Sequence, residues 1–284
     1  MSKFDNDLYE QMIKDVLYDA IYVVGRPNSG IAASLRKYGE LLLRKLVNKG
    51  EGENLTLGAF QYDKEAKDII SRVDTPDKRF AKAFESLRVL GNIATHTHDL
   101  RSFSDQDIAS LHDHVRDIFT LLFVHFFTRE KSYKFGNHAE VGATFSILPP
   151  EIRLRVLRAL YEKDRGNLAV LDKLSLVLAK TEGIKAAMDL LGKRKSDLSR
   201  DVYEELVRRA KNAVETIRRN GSLYQTFEEA KELYLEVGPI KEKTEVAADF
   251  NSLMEFVYLG RKVEKRSIVE RQVSYITVNV VEPV

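Results

Sequence analysis

Arg88, Asn92 and His96 are the residues of this chain whose types and spacing could most readily do chemistry. On a helix, positions i, i+4 and i+8 advance by only about 40° per step, so the three form one polar stripe about 12 Å long. Histidine titrates near neutrality and can move a proton, arginine meets developing negative charge, and asparagine can orient both. Gly91 interrupts the helical pattern between them, at about 1 kcal/mol relative to alanine. Close approach of another helix is the expected reason for it.

Other polar groups compete for attention. His96-Thr97-His98 and His112-Asp113-His114 invite a metal reading. Residues two apart on a helix point to different faces, however, so no metal site is expected. Lys193, Arg194 and Lys195 follow Gly192, and Arg208 and Arg209 lie on the next long helix; these five are the candidate phosphate contacts. Glu204, Glu205 and Glu215 share that helix, so a solvated face laced with ion pairs is the competing reading. Arg261 to Arg266 is equally ambiguous. Gly25 to Gly30 lacks the lysine and hydroxyl pair of a phosphate loop and reads as a turn.

The elements that must position the stripe are helices. Apolar residues at Leu8, Met12, Ile13, Val16, Leu17, Ala20 and Ile21 predict a helix over 5–24. A second, with Leu35, Leu42, Leu43, Leu46 and Val47 on its apolar side, ends near Asn48-Lys49-Gly50. A short helix spans Lys64 to Val73. Thr75 before Pro76 reads as an N-cap for the signature helix, Asp77 to about Thr97. Ser104 to Asp107 opens a helix running to about Arg129. Four principal helices predict an antiparallel bundle closing near residue 133.

Weak alternation through Val141, Ala143, Phe145 and Ile147 predicts a short strand or linker at 134–150, and Pro149-Pro150 punctuates it. Further helices are expected at 151–163, 168–180, 183–191, 201–220, 225–237 and 247–259. β-branched alternation over Val273 to Val280 predicts a C-terminal strand. The expected fold is therefore mainly α: an antiparallel bundle over 1–133, a linker or short strand over 134–150, and a helical domain over 151–284 with a short β tail.

The stretch Arg88-Val89-Leu90-Gly91-Asn92-Ile93-Ala94-Thr95-His96, R-x-x-G-N-x-A-x-H, resembles the signature of the HEPN superfamily. It is most similar to a domain-of-unknown-function group also found attached to type I restriction motor subunits. Leu35 to Arg44 looks like that group's R-x-x-x-E-x-L-L helix, and Leu111 to Phe127 like its closing helix. The likeness covers roughly residues 10–130. It implies a HEPN-like bundle in which a helical arginine and histidine cleave RNA without metal, across a dimer interface. Nuclease members carry arginine directly before the polar residue. Here Gly91 stands there and the arginine lies one turn earlier, at Arg88.

Two functions stay open. One is a nucleic-acid-associated HEPN-like protein of prokaryotic antiphage defence, a metal-independent endoribonuclease acting as a dimer if Arg88, Asn92 and His96 are catalytic. The other is a noncatalytic interaction or adaptor protein whose bundle mediates assembly and whose second domain binds a partner. RNA, a protein partner or a second copy are the expected partners; no cofactor and no membrane are expected.

Composition sets the outer limits. The 284 residues carry 45 basic and 43 acidic side chains, a net charge of +2, so any basic surface must be local. Cysteine is absent, which removes disulfides, thiol nucleophiles and cysteine–zinc sites. The first residues, Met1 to Asp5, lack an apolar run, so no signal peptide and a cytoplasmic location are expected. The most apolar stretch, Ile118 to Phe127, is too short to cross a bilayer.

Overall fold

A computed structural model describes residues 25–50, 52–96, 101–129, 134–220 and 227–258, with Met12, Asp15, Val16, Asp19 and Ala20 before them. Its described residues form eleven α-helices: α1 (Asn28–Leu46), α2 (Lys64–Val73), α3 (Arg79–Thr95), α4 (Asp105–Thr128), α5 (Ala139–Phe145), α6 (Pro150–Lys163), α7 (Leu168–Thr181), α8 (Ile184–Gly192), α9 (Arg200–Asn220), α10 (Phe227–Val237) and α11 (Glu245–Tyr258).

No strand occurs among the described residues, which corrects the expected mainly-α fold with a short β element to an all-α one. The weak alternation at 134–150 belongs to helix α5. Val141 and Phe145 are buried one helical turn apart, and Ile147 and Leu148 are buried in the turns that follow the helix. The strand expected at 273–280 lies outside the described residues, as do most of the helix expected at 5–24, His98 and the Arg261–Arg266 cluster.

The chain divides into two compact units, residues 1–125 with 252–261, and residues 126–251 with 262–284. In the first, α1 and α3 are the principal packed pair. Their buried faces carry Ala32, Leu35, Tyr38, Leu42 and Leu43 on α1 and Phe80, Ala83, Phe84 and Leu87 on α3. Phe80 and Phe84 meet edge to face with ring centroids 5.3 Å apart. The ends of these helices are fixed by local polar chemistry. Asp74 accepts from the backbone N–H of Phe80 (2.8 Å) and Ala81 (3.4 Å), while Thr75 Oγ1 accepts from Arg79 N–H at 3.2 Å. Helix α3 starts at Arg79 with Lys78 at the N-cap position, not at Pro76 behind the expected cap Thr75; Asp74 and Thr75 serve its first turn from farther upstream. At α4, Ser104 Oγ accepts from Asp107 N–H (3.2 Å) and Asp107 Oδ2 accepts from Ser104 N–H (2.9 Å), a reciprocal capping box.

In the second unit α7 is central, packing against α6, α8 and α9. Its buried apolar residues Val170, Leu171, Leu174, Val177 and Leu178 recur at i, i+1, i+4, i+7 and i+8 and form one broad stripe. Asn167 starts it, accepting from the N–H groups of Ala169 and Val170 and donating to Phe135 O at 3.2 Å. Phe127, Phe135 and Phe145 form a mutual edge-to-face trio with centroids 4.9–5.5 Å apart. Asn251 pins the approach to α11 by accepting from Ile240 N–H and donating to Ile240 O, both at 2.9 Å.

Candidate functional site

The signature helix is built around its glycine. A Cβ placed on Gly91 would lie 2.1 Å from Arg36 Cβ, far inside contact distance. One on Gly39 would lie 2.7 Å from Leu87 Cδ1. Each helix of the α1–α3 pair thus receives a side chain of the other at a glycine, and the backbones approach closely there. Arg36 meets residue 91 while Gly39 meets residue 87, so the two helices run antiparallel.

This approach places Arg36 against the motif. Arg36 Nε donates to Asn92 Oδ1 at 2.6 Å. Neither terminal guanidinium nitrogen has a hydrogen-bond partner, and no carboxylate pairs with the charge, among the described residues. The side chain is partly exposed. Asn92 is a neutral acceptor, so it orients the guanidinium without cancelling its charge.

Arg88 is occupied differently. Its Nε and Nη2 donate to Glu85 one turn earlier, at 2.9 and 2.5 Å, and this hydrogen-bonded pair holds the Glu85 carboxyl below its usual range. Both side chains remain partly exposed. The helix ends at Thr95; His96 is the C-cap residue, exposed and in extended conformation, with its N–H donating to Asn92 O at 3.1 Å. The structure therefore brings Asn92 together with Arg36 of α1. Arg88 turns back along its own helix, and His96 projects from the helix end rather than from the helical stripe.

Arg36 was missed as a partner in the sequence although its signal was present. Arg36, Glu40 and Arg44 repeat the i, i+4, i+8 spacing of Arg88, Asn92 and His96, on the helix that packs against them. Glu40 accepts from Leu57 N–H at 3.2 Å, and Arg44 donates to the carbonyls of Gly50, Glu53 and Leu55, the last two at 2.9 Å. The second and third members of that stripe hold the 50–57 segment; only the first reaches the motif.

The remaining candidates separate by burial and pairing. His112 Nε2 lies 3.3 Å from Ala20 O, and burial lowers the pKa of both His112 and His114. No group of three potential metal ligands occurs among the described residues. Arg194 donates to Tyr161 Oη (3.0 Å), Arg165 O (2.6 Å) and Asp197 (3.0 Å), which ties the α8–α9 connection to α6. Arg209 is 8% exposed and pairs with Asp172 at 3.2 Å. Arg208 is exposed but carries Glu205 at 2.9 and 2.7 Å. Lys193 is exposed, and the exposed Lys195 lies 5.6 Å from the Tyr203 ring centroid. Arg194 and Arg209 are thereby committed to holding unit 2 together, and the five cations do not share one open face.

Two surface recesses of unit 2 contain none of the motif residues. One is lined by His138, Val141, Ile240 and Val246, the other by Tyr161, Leu174, Leu178 and Leu190. No helix among the described residues is long and apolar enough to cross a membrane. No family model, curated protein or solved structure matches the chain.

Proposed function

We propose that this chain is a nucleic-acid-associated, HEPN-like protein whose RNA-contacting group is Arg36, Asn92 and His96, acting as a metal-independent endoribonuclease in prokaryotic antiphage defence. The observation that carries the reading is the Arg36 guanidinium. It is oriented by Asn92 at 2.6 Å, has no carboxylate against it among the described residues, and lies beside the helix whose exposed end is His96. An oriented arginine with two open nitrogens suits a phosphate oxygen pair. A histidine one turn beyond Asn92 supplies a group able to accept the ribose 2′-OH proton and to donate one to the leaving 5′-oxygen. In this reading Arg36 takes over the role assigned by sequence to Arg88, which Glu85 neutralises.

The test is cleavage of diverse single-stranded RNAs by the full chain in EDTA. Arg36→Ala and His96→Ala should each remove cleavage in folded protein, whereas Arg88→Ala should leave most of it. Intact RNA in every reaction overturns the nuclease.

A second reading has its own support. The Arg36–Asn92 bond also fixes the register of two closely packed helices, a structural use sufficient in itself, in a protein whose bundle serves assembly and whose second unit binds a partner. On this reading His96→Ala leaves RNA behaviour and stability unchanged, and Asn92→Ala lowers stability alone.

A further inference from the structure

One recess of unit 2 lies where α6, α7 and α8 each turn a face to the same space. Leu174 and Leu178 of α7 give it an apolar lining, Tyr161 and Glu162 come from α6, and Asp189 and Lys193 from α8. It encloses about 280 Å³, room for one planar ring system. Arg158 also lines it, but that guanidinium is engaged by Glu182 at 2.5 Å.

The aromatic wall is fixed by a brace. Arg194 Nη1 donates to Tyr161 Oη at 3.0 Å and to Arg165 O at 2.6 Å, while Nε is tied to Asp197 at 3.0 Å. The same two bonds draw the α6–α7 loop, with Arg165, against the α8–α9 connection, with Lys193 and Lys195. All three of these cations are exposed. Lys193 itself lines the recess, and the Lys195 ammonium lies 5.6 Å from the Tyr203 ring centroid.

Along α8 the carboxylate of Asp189 precedes Lys193 by four residues, about 6 Å on the helix axis. The recess thus runs from carboxylate acceptors, past an apolar and aromatic surface, to exposed cations. A nucleotide has the matching order: a base edge bearing N–H groups, a ring face, then phosphate. Carboxylates accept and do not donate, which favours guanine, whose edge presents adjacent N–H donors.

We propose that this recess receives one unstacked base of single-stranded RNA, guanine in preference, with the flanking phosphates on Arg165, Lys193 and Lys195. A patch that bound phosphate alone would need no aromatic wall, and an apolar peptide anchor would need no cations beside it. The proposal rests on the RNA-associated reading of the chain but uses residues of the other unit.

The experiment follows fluorescence anisotropy of labelled oligouridine RNAs of about twelve nucleotides, within the range one such module covers, with G, A, C or U at the centre. The protein is the full chain carrying His96→Ala, in EDTA, so that binding is read without cleavage. The G-centred RNA should bind about tenfold tighter than the U-centred one. Glu162→Ala with Asp189→Ala should erase that preference without weakening the U-centred RNA. Tyr161→Leu should weaken both about tenfold, the loss of one stacking contact. Lys193→Gln with Lys195→Gln should reduce the slope of log affinity against log salt by about 1.4, two phosphate contacts on a single strand. Should Tyr161→Leu not fold, the exposed Glu162 and Asp189 pair decides the same question. Absence of binding, or equal binding of all four RNAs by wild type at residue 162 and 189, overturns the proposal. Displacement of the G-centred RNA by polyglutamate at equal charge overturns it too, and assigns the cations to an acidic protein segment. Binding as expected without cleavage by the His96 chain removes the nuclease alone, whereas cleavage without this binding removes the recess alone.

Discussion

Arg36 reaches Asn92 through the space that a side chain at residue 91 would fill: the Nε–Oδ1 hydrogen bond is 2.6 Å long, and a Cβ on Gly91 would stand 2.1 Å from Arg36 Cβ. The glycine in the motif and the arginine on the neighbouring helix are one arrangement.

Gly91→Ala should therefore destabilise the protein even though alanine is the better helix former. Overpacking of this kind costs about 1–3 kcal/mol and outweighs the propensity gain of about 1 kcal/mol at all but its lower limit. Gly142→Ala is the matched control, because a Cβ there meets nothing within 4 Å on a helical backbone. It should stabilise by about 0.5–1 kcal/mol. Urea unfolding of both variants checks the pair.

Asn92→Ala leaves Arg36 Nε without its acceptor in a partly buried position and should cost about 1–2 kcal/mol. A double-mutant cycle with Arg36→Met should return a coupling of about 1 kcal/mol, since the single losses remove the same contact. Coupling near zero would mean that the bond adds nothing to the packing of α1 on α3.

These helices also show how far the sequence could be read. Lys64–Val73 was legible residue for residue, and α6 to α11 to within two residues at each end, because their apolar periodicity is strong and their ends carry caps such as Asn167 and breaks such as Gly183. Segment 134–150 misled because a seven-residue helix is too short to separate a period of two from one of 3.6. In the candidate site, Gly91 announced a close helix, but not which side chain would fill the gap. That depends on the relative register of α1 and α3, which periodicity within one helix does not encode. Arg194 and Arg209 show the same limit: a basic run looks alike whether its members face water or, as here, Tyr161 and Asp172.

Arg209→Met should cost about 3–5 kcal/mol, because it strands the Asp172 carboxylate in a buried position. Burial already raises the Asp172 pKa, and Arg209 opposes that rise. Asp172→Leu in the same background should recover much of the loss by removing the stranded charge. Denaturant unfolding at pH 7 of the single and double variants measures the difference.

Stability should rise with pH above about 8 through Lys180. Its folded pKa is depressed relative to the ordinary 10.5, so the unfolded chain binds this proton more tightly, and folding is penalised whenever the group is charged in both states. The penalty, on the order of 2–3 kcal/mol, is fully present below about 8 and is relieved as pH climbs towards 10.5. Arg153 and Lys173 are the charges acting on it, so Lys180→Met should flatten this part of the profile relative to wild type. Parallel slopes for the two proteins between pH 8 and 10 would exclude the effect.

Ser104→Ala should cost about 1 kcal/mol by opening the reciprocal cap of α4. Thermal unfolding resolves a loss of that size.

The interlocking of residues 36 and 91 also bears on how this chain can change over time. The two positions draw on a single volume, so neither drifts alone: a larger residue at 91 is admissible only after position 36 has given up its side chain or α1 has moved away. Substitutions here have an obligatory order. In descendants of this sequence the two sites should vary as a linked pair, with an arginine at 36 always accompanied by glycine across the seam.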